Sequence, residues 1–357
     1  MGKCERCEAL PAGPPEKGTL YVAPPLAHTR GTLRRLLWES DLRFGDYSEG
    51  VLAVEVCPAG LGRLCALLLG GLSEAELRDS RTVLIEEGAV FGIEALPRMR
   101  DLFTFACGVR GGWLQDMLRE ERVAVHFQPI VSVADPDEVF AYECLLRGVA
   151  KGGELVSPGP MFEAARRSGL LFNLDRLARL KAIEGASSYG ISTRVFVNFN
   201  PSSVYDPRYC LRSTLEAVER SGLSPEKIVF EVTESDEIKN GGRLREILSF
   251  YRESGFGVAL DDLGSGYGSL NLLASLRPDF VKLDIGLAEG LDHDPYRAAI
   301  SRKLIELADE LGVTVIAEGI ETEEQWRWLA DNGAEYAQGY LFAKPASPPP
   351  IPAPVYA

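Results

Sequence analysis

Apolar residues recur along the chain in two periods, and the changes between them divide it. From Thr19 to about Val109, short apolar runs rich in β-branched residues read as strands: TLYVAPPL (19–26) and GVLAVEV (50–56). LRRLLWE (33–39) and LGRLCALLLGGL (61–72) space apolar residues three and four apart and read as helices. Together they predict a small α/β domain over 19–110. Residues 1–18, rich in Pro, Gly and charge, read as a loose lead-in. Gly111, Gly112 and the polar run WLQDMLREER (113–122) predict a junction carrying a linker helix over 111–122.

Between 123 and 345 strands alternate with amphipathic helices, the pattern of repeated β/α units. The predicted strands are VAVHFQPI (123–130), VFAYECLL (139–146), TRVFVNFN (193–200), KIVFEVTE (227–234), FGVALDD (256–262), DFVKLD (279–284), VTVIAEG (313–319) and EYAQGYLF (335–342). Helices fall between most of them, among them LRSTLEAVERSG (211–222), GRLREILSFYRESG (242–255) and AAISRKLIELADELG (298–312); the last two end on a Gly suited to the position after a helix. Eight strands with interleaved helices over roughly 225 residues is the size of a (β/α)8 barrel. VSVADPDE (131–138) is too short to hold a crossover helix, so the first two strands should pair antiparallel. The expected fold class is therefore α/β: a TIM-like (β/α)8 barrel with an antiparallel first strand pair, preceded by a small α/β domain. KPASPPPIPAP (344–354) opens a Pro-rich tail over 346–357, read as a solvated polyproline-like extension.

Composition narrows the chemistry. The chain has 357 residues, 46% of them hydrophobic, enough for a real core. Its 38 Lys and Arg against 52 Asp and Glu leave a net charge of −14, which argues against a nucleic-acid polymer as partner. The 3 histidines (His28, His126, His293) leave no His-rich zinc site. Metal chemistry must rest on carboxylates and amides, which favours hard cations such as Mg²⁺ or Mn²⁺. The 7 scattered cysteines suit a reducing compartment better than a disulfide scaffold. The N-terminus has no apolar h-region, and the longest apolar stretch, Leu64 to Leu72, is too short to span a bilayer. The expectation is a cytoplasmic protein without membrane insertion. Cys4 and Cys7 form a C-x-x-C pair, but structural zinc wants four ligands and a second such pair is absent.

The informative polar residues sit at strand ends. These are Glu143, Asn198, Glu231, Asp261 with Asp262, Lys282, Glu318 and Gln338, in strands two to eight. In a barrel the carboxyl ends of parallel strands converge on one rim. Carboxylates gathered there would repel one another by several kcal/mol per close pair at low dielectric. One lysine does not balance them, whereas one or two divalent cations do. Adjacent aspartates suit two ions sharing a bridging carboxylate. Singly each residue has a plainer reading: a solvated Glu, an Asp capping the next helix, a Lys in an interior ion pair. Their joint placement at one end of one barrel is what favours a metal site.

These residues lie in blocks that resemble the EAL domain family of cyclic di-GMP phosphodiesterases, over His126 to Pro345. The signature stands as Glu143-Cys144-Leu145-Leu146-Arg147, with Cys where the family usually has Ala. Further blocks are FQPIV (127–131), VNFNP (197–201), EVTE (231–234), DDLGSGYGSL (261–270), VKLD (281–284), AEGIET (317–322) and QGYLFAKP (338–345). The resemblance implies that Glu143, Asn198, Glu231 and Asp261 hold one metal, and Asp261, Asp262 and Glu318 a second. It implies that Lys282 orders the attacking water and that Arg147 pairs with a substrate phosphate. Gln128, Leu146, Glu321 and Gln338 match positions lining the nucleotide pocket. Glu234 matches the residue that steadies the loop from Asp261 to Leu270, which lies near the dimer contact of the family. The implied protein is a homodimer through this domain, uses two Mg²⁺ or Mn²⁺ per site, and hydrolyses cyclic di-GMP to linear pGpG; the resemblance says nothing of residues 1–110, for which a regulatory role is the expectation. Two departures stand out. Cys144 should project away from Glu143 by strand alternation and add no ligand. IGLAEGLDHDP (285–295) replaces the family's usual Arg-Ser-Phe type run. Two other functions compete: a non-catalytic cyclic di-GMP receptor on the same fold, and a Schiff-base enzyme using the Lys282 amine.

Overall fold

The computed structural model describes residues 9–10, 17–40, 42–204, 206–233, 241–264, 269–291 and 293–354. Two compact units emerge, one of residues 9–122 with Ala150–Leu174, the other of Val123–Val149 with the chain from Asp175 onward. Among the described residues no helix is long and apolar enough to cross a membrane.

The first unit runs β1 (Gly18–Ala23), α1 (Ala27–Trp38), β2 (Phe44–Ser48), β3 (Val51–Val56), α2 (Pro58–Gly71), α3 (Glu74–Asp79), β4 (Arg81–Glu86), β5 (Arg100–Asp101), α4 (Leu102–Arg110) and α5 (Gly112–Arg119). Its sheet has the order β2-β3-β1-β4-β5, and β1 pairs antiparallel with both β3 and β4. Alternation sends Leu20, Val22, Leu52 and Val54 to one face, where Leu33, Leu37, Leu64 and Leu68 of the helices bury them. The strand β4 escapes the periodicity argument because its four central residues are all buried. Helix α5, polar by composition, still buries Leu114, Met117 and Leu118 along one stripe.

The chain continues through β6 (Val123–Ser132), β7 (Val139–Val149), β8 (Leu155–Val156), α6 (Pro158–Ser168), α7 (Leu171–Ser188), β9 (Arg194–Asn198), α8 (Pro207–Cys210), α9 (Arg212–Ser221), β10 (Ile228–Thr233), α10 (Gly241–Glu253), β11 (Gly257–Leu263), α11 (Ser269–Leu276), β12 (Phe280–Leu283), α12 (Ile285–Ala288), α13 (Pro295–Leu311), β13 (Thr314–Ala317), α14 (Glu323–Asp331) and β14 (Tyr336–Ala337). Strands β7, β9, β10, β11, β12, β13 and β14 follow one another in parallel, and β6 closes the barrel by pairing antiparallel with β7 and β14. The antiparallel first pair and the barrel are as expected from the sequence.

Inside the barrel Ile130, Ala141, Phe196, Val229, Ala259 and Ile316 form one apolar cluster, with Phe280 and Tyr336 packed on it. This plug sets the chemistry above it. Two residues further toward the open rim, alternation turns the next side chain inward on every strand. Those side chains are Gln128, Glu143, Asn198, Glu231, Asp261, Lys282, Glu318 and Gln338. The outward residues, such as Phe127, Cys144, Val197 and Phe230, meet the helices in the larger core.

The tail departs from the expected solvated extension. Phe127 and Ala346 exchange backbone hydrogen bonds of 2.8 and 3.1 Å, and the Tyr142 hydroxyl donates to the Pro350 carbonyl at 3.1 Å. The Ala353 N–H donates to the Phe342 carbonyl at 2.7 Å. The cause is topological. A hairpin joins β6 to β7 without a crossover helix, and the tail returns to pair its Ala346 with Phe127 of β6 as an antiparallel bridge. Residues 355–357 fall outside the described residues.

Candidate active site

Lys282 stands at the centre of the rim, with 1% of its side chain exposed. Its Nζ lies 2.6 Å from Glu318 Oε1, 2.9 Å from Glu231 Oε1, 3.4 Å from Glu143 Oε2 and 3.6 Å from Asp261 Oδ1. Amides complete the ring. Asn198 Nδ2 donates to Glu143 Oε1 at 3.1 Å, and Gln338 Nε2 donates to Glu143 Oε2 at 2.6 Å and Gln128 Oε1 at 3.1 Å.

Asp261 and Asp262 are adjacent in a strand, so regular alternation would send them to opposite faces. A break in register between Leu260 and Leu263, where β11 meets β12, removes that constraint. Asp262 takes a left-handed φ of 57°, a conformation that costs a non-glycine residue about 1 kcal/mol or more. The result is that Asp261, Asp262 and Glu318 each bring one carboxylate oxygen within 4.8 Å of the others. The loops bearing Glu318 and Gln338 are laced together: the Ile320 N–H donates to the Gln338 carbonyl and the Leu341 N–H to the Ile320 carbonyl. Only glycine fits at 339, where a Cβ would sit 1.9 Å from the Ile320 carbonyl oxygen.

Crowding shows in the protonation of the rim. Burial, reinforced by Asp261, raises the Asp262 carboxyl to about 6. Burial also lifts Glu318 to about 8, against the pull of Lys282. Glu231 is pushed well above the carboxylate range by burial, with Lys282 opposing, and Asp261 is raised for the same reasons. Burial pushes Glu143 up too, but Lys282, Gln338 and Asn198 outweigh it and hold Glu143 below its usual value. Burial alone would lower Lys282; Asp261, Glu143, Glu231 and Glu318 outweigh that and raise it well above its usual value. That direction favours the ammonium form, whereas Schiff-base chemistry needs a free amine.

The rim fits a divalent cation on its own evidence. Glu231 Oε2 is buried with no hydrogen-bond partner, while Oε1 meets the Lys282 ammonium at 2.9 Å. A buried carboxylate left in that state is costly unless a cation completes its coordination. The donors are hard oxygens, the set that suits Mg²⁺ or Mn²⁺.

A cleft of about 280 Å³ opens beside these carboxylates, lined by Gln128, Glu143, Leu145, Glu318, Glu321 and Gln338 among others. Leu146, expected in the pocket, is instead 8% exposed on the face of β7 shared with Cys144. Alternation puts Leu145, which the sequence reading passed over, on the side of Glu143. Arg147 shares that side two residues further out and donates to the Leu146 carbonyl at 2.8 Å; it does not line the cleft. Cys144 lies in the outer core, and burial pushes its thiol well above its usual value. Glu234, residues 265–268 of the adjoining loop, and the Cys4/Cys7 pair lie outside the described residues.

Comparison with known proteins agrees with this geometry. The EAL domain family model matches residues 112–345. The probable cyclic di-GMP phosphodiesterase PdeB of Escherichia coli is 30% identical over 234 residues, 65% of this chain and 44% of PdeB. The cyclic di-GMP phosphodiesterase NbdA of Pseudomonas aeruginosa is 30% identical over 236 residues, 65% of this chain and 30% of NbdA. The chain thus spans less than half the length of these curated relatives. A standalone versatile EAL protein from Vibrio cholerae, solved with c-di-GMP bound, superposes with a TM-score of 0.59 at 35% identity, covering 65% of this chain and 96% of that one.

Proposed function

The chain belongs to the EAL domain family, and from that premise we propose that it is a divalent-cation-dependent phosphodiesterase opening cyclic di-GMP to linear pGpG. The observation that carries the reading is the convergence of Glu143, Glu231, Asp261 and Glu318 on one buried ammonium, with Asp262 turned in beside them. Glu143, Asn198, Glu231 and Asp261 would hold one Mg²⁺ or Mn²⁺, and Asp261, Asp262 and Glu318 the second. Bound ions supply a water of lowered pKa and neutralise charge on the phosphoryl oxygens.

The protein's own groups do the rest. Lys282 keeps a fixed positive charge where the attacking water is to be ordered and donates hydrogen bonds to it. Gln338 and Asn198 hold the Glu143 carboxylate in its ionised, coordinating form. Gln128, Leu145, Glu321 and Gln338 bound the pocket for the nucleotide, and Arg147, on the outer side of Leu145, offers its fork to a phosphate. No side-chain nucleophile is required. The reading extends to a cytoplasmic homodimer whose first unit regulates the barrel.

Incubating the purified protein with cyclic di-GMP and Mg²⁺ tests this. Linear pGpG should accumulate, and EDTA should stop it. Binding without linear product would leave only the receptor reading.

A further inference from the structure

Asn198 ends β9, and the segment leaving it is tied down by groups that the cleft does not use. Asp175 on α7, 2% exposed, is aimed at this segment. Its Oδ1 accepts the Asn200 backbone N–H at 2.9 Å, and its Oδ2 accepts the Ser203 hydroxyl at 2.5 Å. Arg179, one turn along the helix and also 2% exposed, pairs with Asp175. Arg179 Nε also donates to Thr214 Oγ1 on α9 at 3.3 Å, and the guanidinium lies 5.4 Å from the centre of the Phe199 ring. On the neighbouring strand the Glu231 carbonyl accepts the Phe199 N–H at 2.9 Å. At the far end Arg243 on α10 donates to the Val204 carbonyl. Residues 199–204 are therefore held at both ends and in the middle.

A buried ion pair is a weak source of stability, since an apolar pair of the same volume often serves as well. A buried carboxylate does one thing that an apolar residue cannot: its charge-assisted hydrogen bonds fix a backbone N–H in place. Here that N–H is two residues past Asn198. The Asn198 side chain donates its Nδ2 to Glu143, which turns its amide oxygen the other way.

We propose that Asp175, with Arg179 as counter-ion, is a positioning residue for the metal site: by fixing Asn200 and Ser203 it sets where Asn198 presents its amide oxygen. The inference rests on Asn198 being a metal ligand. Groups that orient a ligand from behind typically cost about 10–100-fold in metal affinity when removed.

The experiment is a Mn²⁺ titration of the full chain without substrate, followed by calorimetry, beside kinetics with cyclic di-GMP. Asp175→Asn keeps the shape and loses the charge. It should weaken Mn²⁺ binding about tenfold or more and raise the Mn²⁺ half-saturation of turnover equally, with KM unchanged at saturating Mn²⁺. Ser203→Ala leaves the ion pair whole and should shift both in the same direction by less; it carries the test if Asp175→Asn does not fold. Wild-type Mn²⁺ affinity in folded Asp175→Asn, or in Ser203→Ala where Asp175→Asn does not fold, would overturn the positioning role while leaving the metal site standing. A wild-type chain that takes up no Mn²⁺ would overturn both.

Discussion

Glu318 gives a sharp test of how the rim is balanced. Its carboxyl sits at about 8 against a usual 4.5, with burial as the largest cause. Because the folded-state value is raised, the associated stability is full below 4.5 and is lost as pH climbs toward 8. At pH 7 the unfolded chain has released this proton and the folded chain mostly keeps it. Two and a half pH units at about 1.4 kcal/mol each come to about 3 kcal/mol against the metal-free fold. Glu318→Gln keeps the shape and removes that cost. In EDTA the variant should be the more stable protein, by little at pH 5 and by about 3 kcal/mol at pH 7. Mn²⁺ at about 1,000 times its Kd should reverse the order, since a ligand at that excess adds about 4.1 kcal/mol to the fold that binds it. Hydrogen exchange of the β10 to β13 amides, corrected for intrinsic rates, reads the barrel separately from the first unit. A variant less protected than wild type in EDTA at pH 7, with the same gap at pH 5, would refute the picture of carboxylates held against their charge.

Three further outcomes follow from the geometry. Glu143→Ala and Asp261→Asn should each abolish turnover of cyclic di-GMP, whereas Cys144→Ala, in the outer core, should leave it nearly unchanged; a steady-state assay decides, and a near-wild-type rate for Asp261→Asn would count against the two-metal reading. Leu145→Ala should raise KM in a normally stable protein, while Leu146→Ala should cost about 2–5 kcal/mol of barrel stability in urea denaturation and spare KM. Removing residues 346–357 should take away the backbone partner of Phe127 and the hydrogen-bond acceptor of Tyr142, seen as a lower denaturation midpoint.

Much of the barrel was legible because each strand repeats one pattern, an apolar residue and then a polar one two places on, as in Ala141 and Glu143 or Val229 and Glu231. Period-two alternation converts that pattern into a plug with a polar layer above it. The first unit was half legible: β1 and β3 alternate, but β4 is buried on both faces and β2 is mostly exposed, so neither shows the period. Leu146 was misplaced by one residue, which in a strand reverses the face. The bulge at Asp262 leaves no trace in composition, since it depends on a backbone angle. The docked tail was hidden because Pro-rich segments have the same local signature whether solvated or packed. Asp175 and Arg179 had a faint signal, a carboxylate and a guanidinium four apart in one helix, but their partner segment lies 25 residues away.

The measurement that reaches the central claim most directly is anomalous diffraction from crystals of the full chain soaked in Mn²⁺. Two anomalous peaks at the rim are expected, both next to Asp261, one also touching Glu231 and the other Glu318. Crystals saturated with Mn²⁺ that show no peak at Asp261 would contradict it.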